Sequence, residues 1–571
     1  MQNRVMCRSC AAGLTALMFI TLAPAQRAQA IVTFGTNGFN GLNINTLVGA
    51  DRWYRAGYNG SGAIITNIEA GLVWNGHETL NAQVRAFITP PTALGDIDRH
   101  ATWVGQMLAG QMGGVNPGEH QRGIAFGATL WSGAIANNWR NVGTGRFSTT
   151  FDFGSLSFTR AYQTAMLSGM GGIRTDIVNS SWGFRSPDAT SSFVRIIDSL
   201  VRDSGKLMVA SAGNTGPASN TVGVPAIGFN TLAVGALTGA SDPVPFTRVA
   251  SFSSRGPIPF FDAGKVQIIP GVRAAVDIVA PGTDLTLARY GGDTGGNAFG
   301  GPVSTATDGY STRLQGTSFA APIVSAGAAL LVDASHAPRN GLDTNDRARD
   351  GRTLKAVLMN SATKIPGWNN GQFTDTAGAV ITTQALDFTS GAGALNLDQA
   401  FDQYLGGTRD LPGDGGGVVQ PIGWDFGLAA EGSPVDYILD RVLDAGTMFT
   451  VTLTWWADSD FNLATLSTPQ FATFDNLDVQ VLEVINGVPA TVVAQSISTY
   501  NSTEHLHFTL PRDGVYDVRV LWQGEVFDLV NAPNNELFAI AWAANPLPAP
   551  GGVALIVMFS LTATRRRRIC T

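Results

Sequence analysis

The stretch at 316–332, GTSFAAPIVSAGAALLV, limits what this chain can become more than any other. From Phe319 to Val332 nearly every residue is apolar or small, so a helix here has no face to offer water and has to be buried on most sides. Only a domain with packed layers around that helix supplies such burial. Gly316 and Thr317 read as the tight turn that starts it, which puts Ser318 at its mouth. A hydroxyl there meets the positive end of the helix dipole, which favours the negative charge that develops when the hydroxyl attacks a carbonyl. Serine is a weak nucleophile without a base beside it. A lone Ser in such a turn also reads as an ordinary helix cap, so the rest of the chain has to supply a base, an orienting acid and an oxyanion donor.

The layers are legible on either side. Runs at 63–72, 123–136, 175–184, 206–216 and 230–237 read as strands, rich in Ile, Val and Leu. Between or after them, 101–109, 158–170, 191–204 and 354–363 carry helical apolar spacing, as in Phe193, Ile196, Ile197, Leu200 and Val201. Strands alternating with helices predict an α/β domain over 48–403, with a parallel sheet and helices on both faces. The chain, at 571 residues, exceeds what one core organises. Past residue 404 the texture changes: a Gly/Pro-rich linker is expected over 404–432, then short alternating strands without long helices, which predict an all-β sandwich over 433–545.

Strand ends and helix starts are where an open α/β sheet does its chemistry. Glu69 closes the strand at 63–72 and is followed by Ala70-Gly71; Asn214 closes the strand at 206–216. His100 opens a helix whose apolar residues are Trp103, Val104, Met107 and Leu108, and it is the candidate base. The chain has six His; His77, His120, His336, His505 and His507 lie in less ordered contexts. His505 and His507 alternate on one strand face, a pattern of cross-strand surface packing, with a two-His metal site as the other reading.

Charge and cysteine usage exclude several functions. The formal charge is −7, but residues 1–30 hold three Arg, residues 546–571 hold four, and neither end holds an acid. Setting those seven aside leaves 29 basic residues against 43 acidic ones, which argues against a nucleic-acid partner. The three Cys are Cys7, Cys10 and Cys570, so the body of the chain has no disulfide, thiolate metal site or cysteine nucleophile. Residues 1–30 have a basic start, a short apolar run and an Ala-Gln-Ala end, which is the form of a secretory signal peptide cleaved after Ala30. A short segment, 31–47, follows, with no room for a folded pro-segment of domain size. At 546–571 a Pro/Ala hinge precedes an apolar run and four Arg, an arrangement that arrests export and brings membrane contact.

The order Glu69, His100, Asn214, Ser318 resembles that of the subtilisin-like serine proteases, the subtilases, whose acid precedes the His and the Ser. GTSFAAP matches the serine motif of that family, with Ser325 where a small apolar residue is usual; HATWVGQ is similar to its histidine motif, with Ala101 and Trp103 as departures. SFSSRGP and DIVAPG add to the likeness, which covers roughly 48–403. The resemblance implies a catalytic triad of Glu69, His100 and Ser318, with Asn214 from ASAGNTG as oxyanion donor. It also implies substrate contacts from Ser181, Trp182, Gly183, Ala212 and Gly213. Protein or peptide substrates follow from it. It requires no catalytic cofactor and admits structural calcium, for which no acidic spacing marks a site. Glu69 stands where the family nearly always has Asp, so the other expectation is a catalytically impaired subtilase fold that binds peptides or serves structurally. The sandwich resembles one that follows the catalytic domain in some subtilases, and the tail is similar to PEP-CTERM sorting signals. Together these imply export, surface retention and a sorting protease acting on the tail.

Overall fold

The computed structural model describes residues 42–113, 120–143, 146–151, 157–186, 190–300, 302–342, 344–462 and 467–544. The signal peptide at 1–30 and the tail at 546–571 therefore lie outside the described residues, as does most of the segment 31–47.

The first layer is a sheet of seven parallel strands: β1 (Ile64–Glu69), β2 (Val84–Ile88), β3 (Thr129–Ala134), β4 (Ile177–Ser180), β5 (Leu207–Ser211), β6 (Thr231–Thr238) and β7 (Ile278–Pro281). Their order across the sheet is β7-β6-β5-β4-β1-β3-β2, and a two-residue strand at Arg248–Val249 pairs antiparallel beside β6. β1 sits between β3 and β4, in register from Ile64↔Thr129 to Glu69↔Ala134 on one side and through Asn67↔Asn179 on the other. β1, β4, β5 and β6 are buried almost throughout, as a sheet covered on both faces requires. β2 escapes the sequence reading: it lies at the edge, where Arg85 is exposed, and lacks a continuous apolar run.

Four helices are central to the argument: α1 (Arg99–Ala109), α2 (Ser192–Ser204), α3 (Thr317–Ser335) and α4 (Gly351–Asn360). Every residue of α3 is buried, as its composition demands. It is long and apolar enough to cross a membrane by length and composition, but here it is the core helix of the domain. Pro322 lies in its second turn, where the missing N–H leaves the Ser318 carbonyl without its usual intrahelical donor.

The second layer pair is the sandwich. It contains β8 (Phe373–Thr374), β9 (Val380–Thr382), β10 (Thr408–Arg409), β11 (Gly417–Val419), β12 (Ile422–Ala430), β13 (Val435–Leu439), β14 (Met448–Trp455), β15 (Thr473–Ile485), β16 (Val488–Ser496), β17 (Thr503–Thr509), β18 (Tyr516–Asp528) and β19 (Asn535–Ala544). One sheet runs β8-β9-β16-β15-β18-β13-β11 and the other β10-β12-β19-β14-β17. The stretch 404–432, expected as a linker, thus contains three sandwich strands. β8 and β9 come from inside the span expected as catalytic domain, because β9 adds in parallel to β16. Local composition at 404–432 is Gly-rich, and only the partner strands, more than a hundred residues away for β12 and β19, supply the pairing.

The sandwich has its own apolar core, with Val451, Leu477, Val479, Val518 and Ile540, but Trp424, Phe426, Trp456, Ala539 and Ala541 pack with the helices and strands of the first part. Asn230 locks the seam by giving Nδ2 to the Ala457 carbonyl and taking the Ala457 N–H on Oδ1, both at 2.8 Å. His505 is fully buried, against the surface position expected for it, and its Nδ1 meets Thr452 Oγ1 at 2.8 Å. His507 pairs likewise with Thr450, at 2.9 Å, and Trp368 stands edge-on to both rings. The cross-strand pairing is as expected; the segment around Trp368 is what covers the face.

Candidate active site

Glu69 and His100 meet at the C-terminal edge of the parallel sheet. β1 delivers Glu69, which is buried, and α1 delivers His100 in its first turn. Glu69 Oε2 lies 3.1 Å from His100 Nδ1, and Glu69 Oε1 accepts the backbone N–H of Ser181 at 2.8 Å. Both carboxylate oxygens are therefore engaged at glutamate length. Burial alone would push His100 down, but the charge and hydrogen bond of Glu69, helped by Asp98 and opposed by Arg99, carry it above its ordinary value. A quarter of the His100 side chain stays open to solvent, at 26%. Trp103 and Phe319 flank the ring at centroid distances of 6.4 and 6.0 Å.

Asp98 is a member of this site that sequence reasoning missed. It is the N-cap of α1, its side chain accepting from Ala101 N at 3.2 Å and from Gly296 N at 2.9 Å. An Asp two residues before the His, at the start of a periodic apolar run, is the capping signal that could have found it. The cap fixes the turn on which His100 stands, and burial pushes the Asp98 carboxyl up.

Ser318 sits in the first turn of α3 and is buried. Its Oγ donates to the Ser181 carbonyl oxygen at 3.0 Å; no hydrogen bond joins it to His100 among the described residues. Catalytic hydrogen bonds are often long or misaligned before substrate binds. Ser181 thus touches both Glu69, through its N–H, and Ser318, through its C=O. Gly316 precedes the helix with φ 152 and ψ 153, a backbone that a residue with a side chain does not adopt readily.

Gly316 has no side chain to cap α3, and Asn214 does so from another element. Asn214 Oδ1 accepts Thr317 N–H at 2.9 Å and Thr317 Oγ1–H at 3.0 Å, and Thr317 Oγ1 accepts Gly213 N–H at 3.2 Å. A backbone N–H can only donate, so the amide oxygen must face Thr317 and the Nδ2 donor is the end left for another partner. Asn214 is exposed, and the Ser318 N–H belongs to a first turn whose amides lack intrahelical acceptors. The Asn214 Nδ2 and the Ser318 N–H come together at Gly316, where a Cβ would lie 3.7 Å from each.

The residues expected to contact substrate fall just past the ends of β4 and β5. Trp182 is half-buried, its Nε1 donating to Tyr162 OH at 3.2 Å and its ring edge-on to Phe151 and Phe158. Gly183 is exposed, and a Cβ there would meet the Val224 carbonyl oxygen at 2.6 Å. Ala212 is buried, with its N–H on the Val234 carbonyl at 2.9 Å; Gly213 turns the chain with φ 112. Among the described residues no group of three or more His, Cys, Asp or Glu is gathered in a way that could hold a metal ion.

A profile of the subtilase family, peptidase S8, matches residues 66–393, more than half of the chain. Subtilisin of Bacillus pumilus is 24% identical over 348 residues, an alignment that covers 60% of this chain and 92% of the relative. Subtilisin E of Bacillus subtilis (strain 168) is also 24% identical over 348 residues, covering 60% of this chain and 67% of the relative. A solved chain titled "S41 Psychrophilic Protease" superposes with a TM-score of 0.40 at 22% identity, covering 59% of this chain and 92% of its own, too loosely to add to the argument. The matched span takes in Glu69, His100, Asn214 and Ser318 together, and the chain belongs to the subtilase family of serine proteases.

Proposed function

We propose that this protein is an exported serine endopeptidase that cleaves proteins or peptides with a Ser318–His100–Glu69 triad. The observation that carries the reading is the double engagement of Glu69: one oxygen on His100 Nδ1, the other on the N–H of the residue whose carbonyl holds Ser318. Ser318 attacks the scissile carbonyl, and His100 takes its proton on Nε2 and returns it to the leaving amine. Glu69 holds the imidazole in the tautomer with hydrogen on Nδ1 and stabilises the imidazolium that forms. The Asn214 Nδ2 and the Ser318 N–H receive the oxyanion. Ser181, Trp182, Gly183, Ala212 and Gly213 line the path of the substrate chain. No cofactor takes part in these steps, and structural calcium is assigned no ligands. Labelling with a fluorophosphonate tests the reading: the label should attach to Ser318, and absence of labelling in the folded protein would favour a peptide-binding or structural role instead.

The oxyanion assignment has its own test. Asn214→Ala should lower kcat by about 10²–10³ with little change in KM, a magnitude carried over from the loss of the equivalent donor in subtilisin. The same substitution removes the cap on Thr317, so a fall in thermal stability should accompany it. An effect on KM alone would make Asn214 a substrate contact and not an oxyanion donor.

Residues 1–30 serve export in this reading, and residues 546–571 hold the protein at the membrane until a sorting protease cuts near PAPGG. The apolar run is short for a span, so arrest depends on the four Arg that follow it. Deleting 548–571 should release soluble protein into the medium. Truncated protein that stays with the cells would show that the tail is not the anchor.

A further inference from the structure

Beneath the triad lies a set of side chains that the reaction itself does not use. Asn67 is two residues before Glu69 on β1, and Asn179 is two residues before Ser181 at the end of β4, so each pair shares one face of its strand. The parallel register sets Asn67 beside Asn179. Ser325 follows Ser318 by seven residues on α3, two turns along nearly the same helix face. Asn67, Asn179 and Ser325 are fully buried. They bond to one another in sequence: Ser325 Oγ donates to Asn179 Oδ1 at 2.9 Å, and Asn179 Nδ2 donates to Asn67 Oδ1 at 3.0 Å and to Ser181 Oγ at 3.1 Å. Asn67 Nδ2 then donates to the Ala101 carbonyl oxygen at 3.3 Å, in the turn that carries His100.

We propose that Asn67 and Ser325 are positioning residues, the two ends of a buried side-chain relay that holds the acid, histidine and serine elements of this active site in one fixed arrangement. The relay touches α3, which carries Ser318, the end of β4, which leads into Ser181, β1, which carries Glu69, and α1, which carries His100. Every member other than Ser181 is fully buried, and an amide or hydroxyl left unpaired in such a place is costly, so the four elements cannot shift independently. This matters most for Glu69. Its longer side chain leaves one more torsion to fix than aspartate would, and both of its oxygens must arrive together, on His100 and on the Ser181 N–H. The hydroxyl of Ser325 thus acts on the chemistry without reaching the substrate.

The inference rests on the triad assigned above, and its test separates the two. Ser325→Ala removes the donor at one end while favouring the helix, and Asn67→Val removes the other end while suiting a buried strand, so at least one variant should fold. Each should lower kcat for a peptide substrate by about tenfold, the effect of a sub-ångström displacement, with KM within about twofold. Each should also move the His100 titration, read from its ring proton by NMR, to lower pH. That titration is set by burial, which lowers it, and by Glu69, Asp98 and Arg99, and Glu69 is the one the relay steadies. In a Glu69→Ala background Ser325→Ala should leave the titration where it was, since the two act through one contact. Folded variants with unchanged kcat and unchanged titration, whatever their melting temperature, overturn the relay. If the unaltered protein turns over no peptide, the protease reading fails, while the titration still decides the relay.

Discussion

Ser318→Ala leaves a folded protein with almost no turnover. The loss expected in kcat is about 10⁶, carried over from removal of the nucleophile in subtilisin, with a residue of about 10³–10⁴ over the uncatalysed reaction from substrate binding and the oxyanion donors. The fold should tolerate the change. Ser318 makes one side-chain hydrogen bond, to the Ser181 carbonyl, at the mouth of a helix that is otherwise held by its apolar surface. Active-site titration and single-turnover kinetics on a peptide substrate measure the effect. Ser318→Ala should still bind peptide, since it leaves the substrate contacts in place, and Asn214→Ala on top of it should lower the remaining turnover further. Retention of more than about a hundredth of kcat in Ser318→Ala, a loss under about 3 kcal/mol, would remove Ser318 from the role of nucleophile.

Glu69 yields the second large effect, and the structure chooses between outcomes that the sequence left open. Each carboxylate oxygen faces an N–H donor, one on His100 and one on the Ser181 backbone. The amide of Glu69→Gln has a single acceptor oxygen. The backbone N–H of Ser181 cannot change, whereas the imidazole can change tautomer, so the amide oxygen goes to Ser181 and the NH₂ to His100. Nδ1 then becomes an acceptor, Nε2 keeps its hydrogen, and His100 cannot take the proton of Ser318. The loss should approach the roughly 10⁴ found when a triad aspartate is made an amide in the chymotrypsin type.

Glu69→Asp should also lose activity, about 10² in kcat/KM, even though aspartate is usual for the family. The backbone of β1 is paired on both sides up to Glu69 on one and Asn67 on the other, so it cannot advance to make good a side chain shorter by about 1–1.5 Å. The pH profile gives a second readout. A base whose folded value is raised stays protonated to higher pH, so the acid limb of kcat/KM should lie above the ordinary histidine value of 6.5 in the unaltered protein. Either substitution weakens the hold on His100 and should move that limb down. Activity in Glu69→Gln within twofold of the unaltered protein would show that another group orients His100.

The local pattern carried a good deal of this. The helix at α3 was legible because an apolar run that long has nowhere to go but inside, and the strands because β-branched residues cluster between turns. Ser318, His100, Glu69 and Asn214 could each be placed at a strand end or helix start, since that position depends on the few residues around each. The match of Ser318 and His100 to motif-bearing segments then joined them. What the chain did not disclose locally was contact across it. Asn67 and Asn179 are 112 residues apart and Asn179 and Ser325 are 146 apart, and each alone reads as a small polar residue in an otherwise apolar strand or helix. The parallel register makes them partners.

The same holds at the sandwich. β12 looked like a linker because its Gly-rich neighbourhood dominated the local composition, and its strand character came from β19 beside it. His505 looked like a surface residue because alternation marks a face without saying what will cover it, and Trp368 covers it. The length of Glu69 was plain in the sequence, but whether that length was a defect was not. That depended on where the Ser181 N–H stood, and only the packing of β4 against β1 put it 2.8 Å from the second oxygen. Sequence alone determined which groups this protein has to work with, because side-chain chemistry and local propensity belong to each residue. Tertiary structure decided which of them meet, because hydrogen bonds and strand pairing act over about 3 Å in space and are blind to distance along the chain.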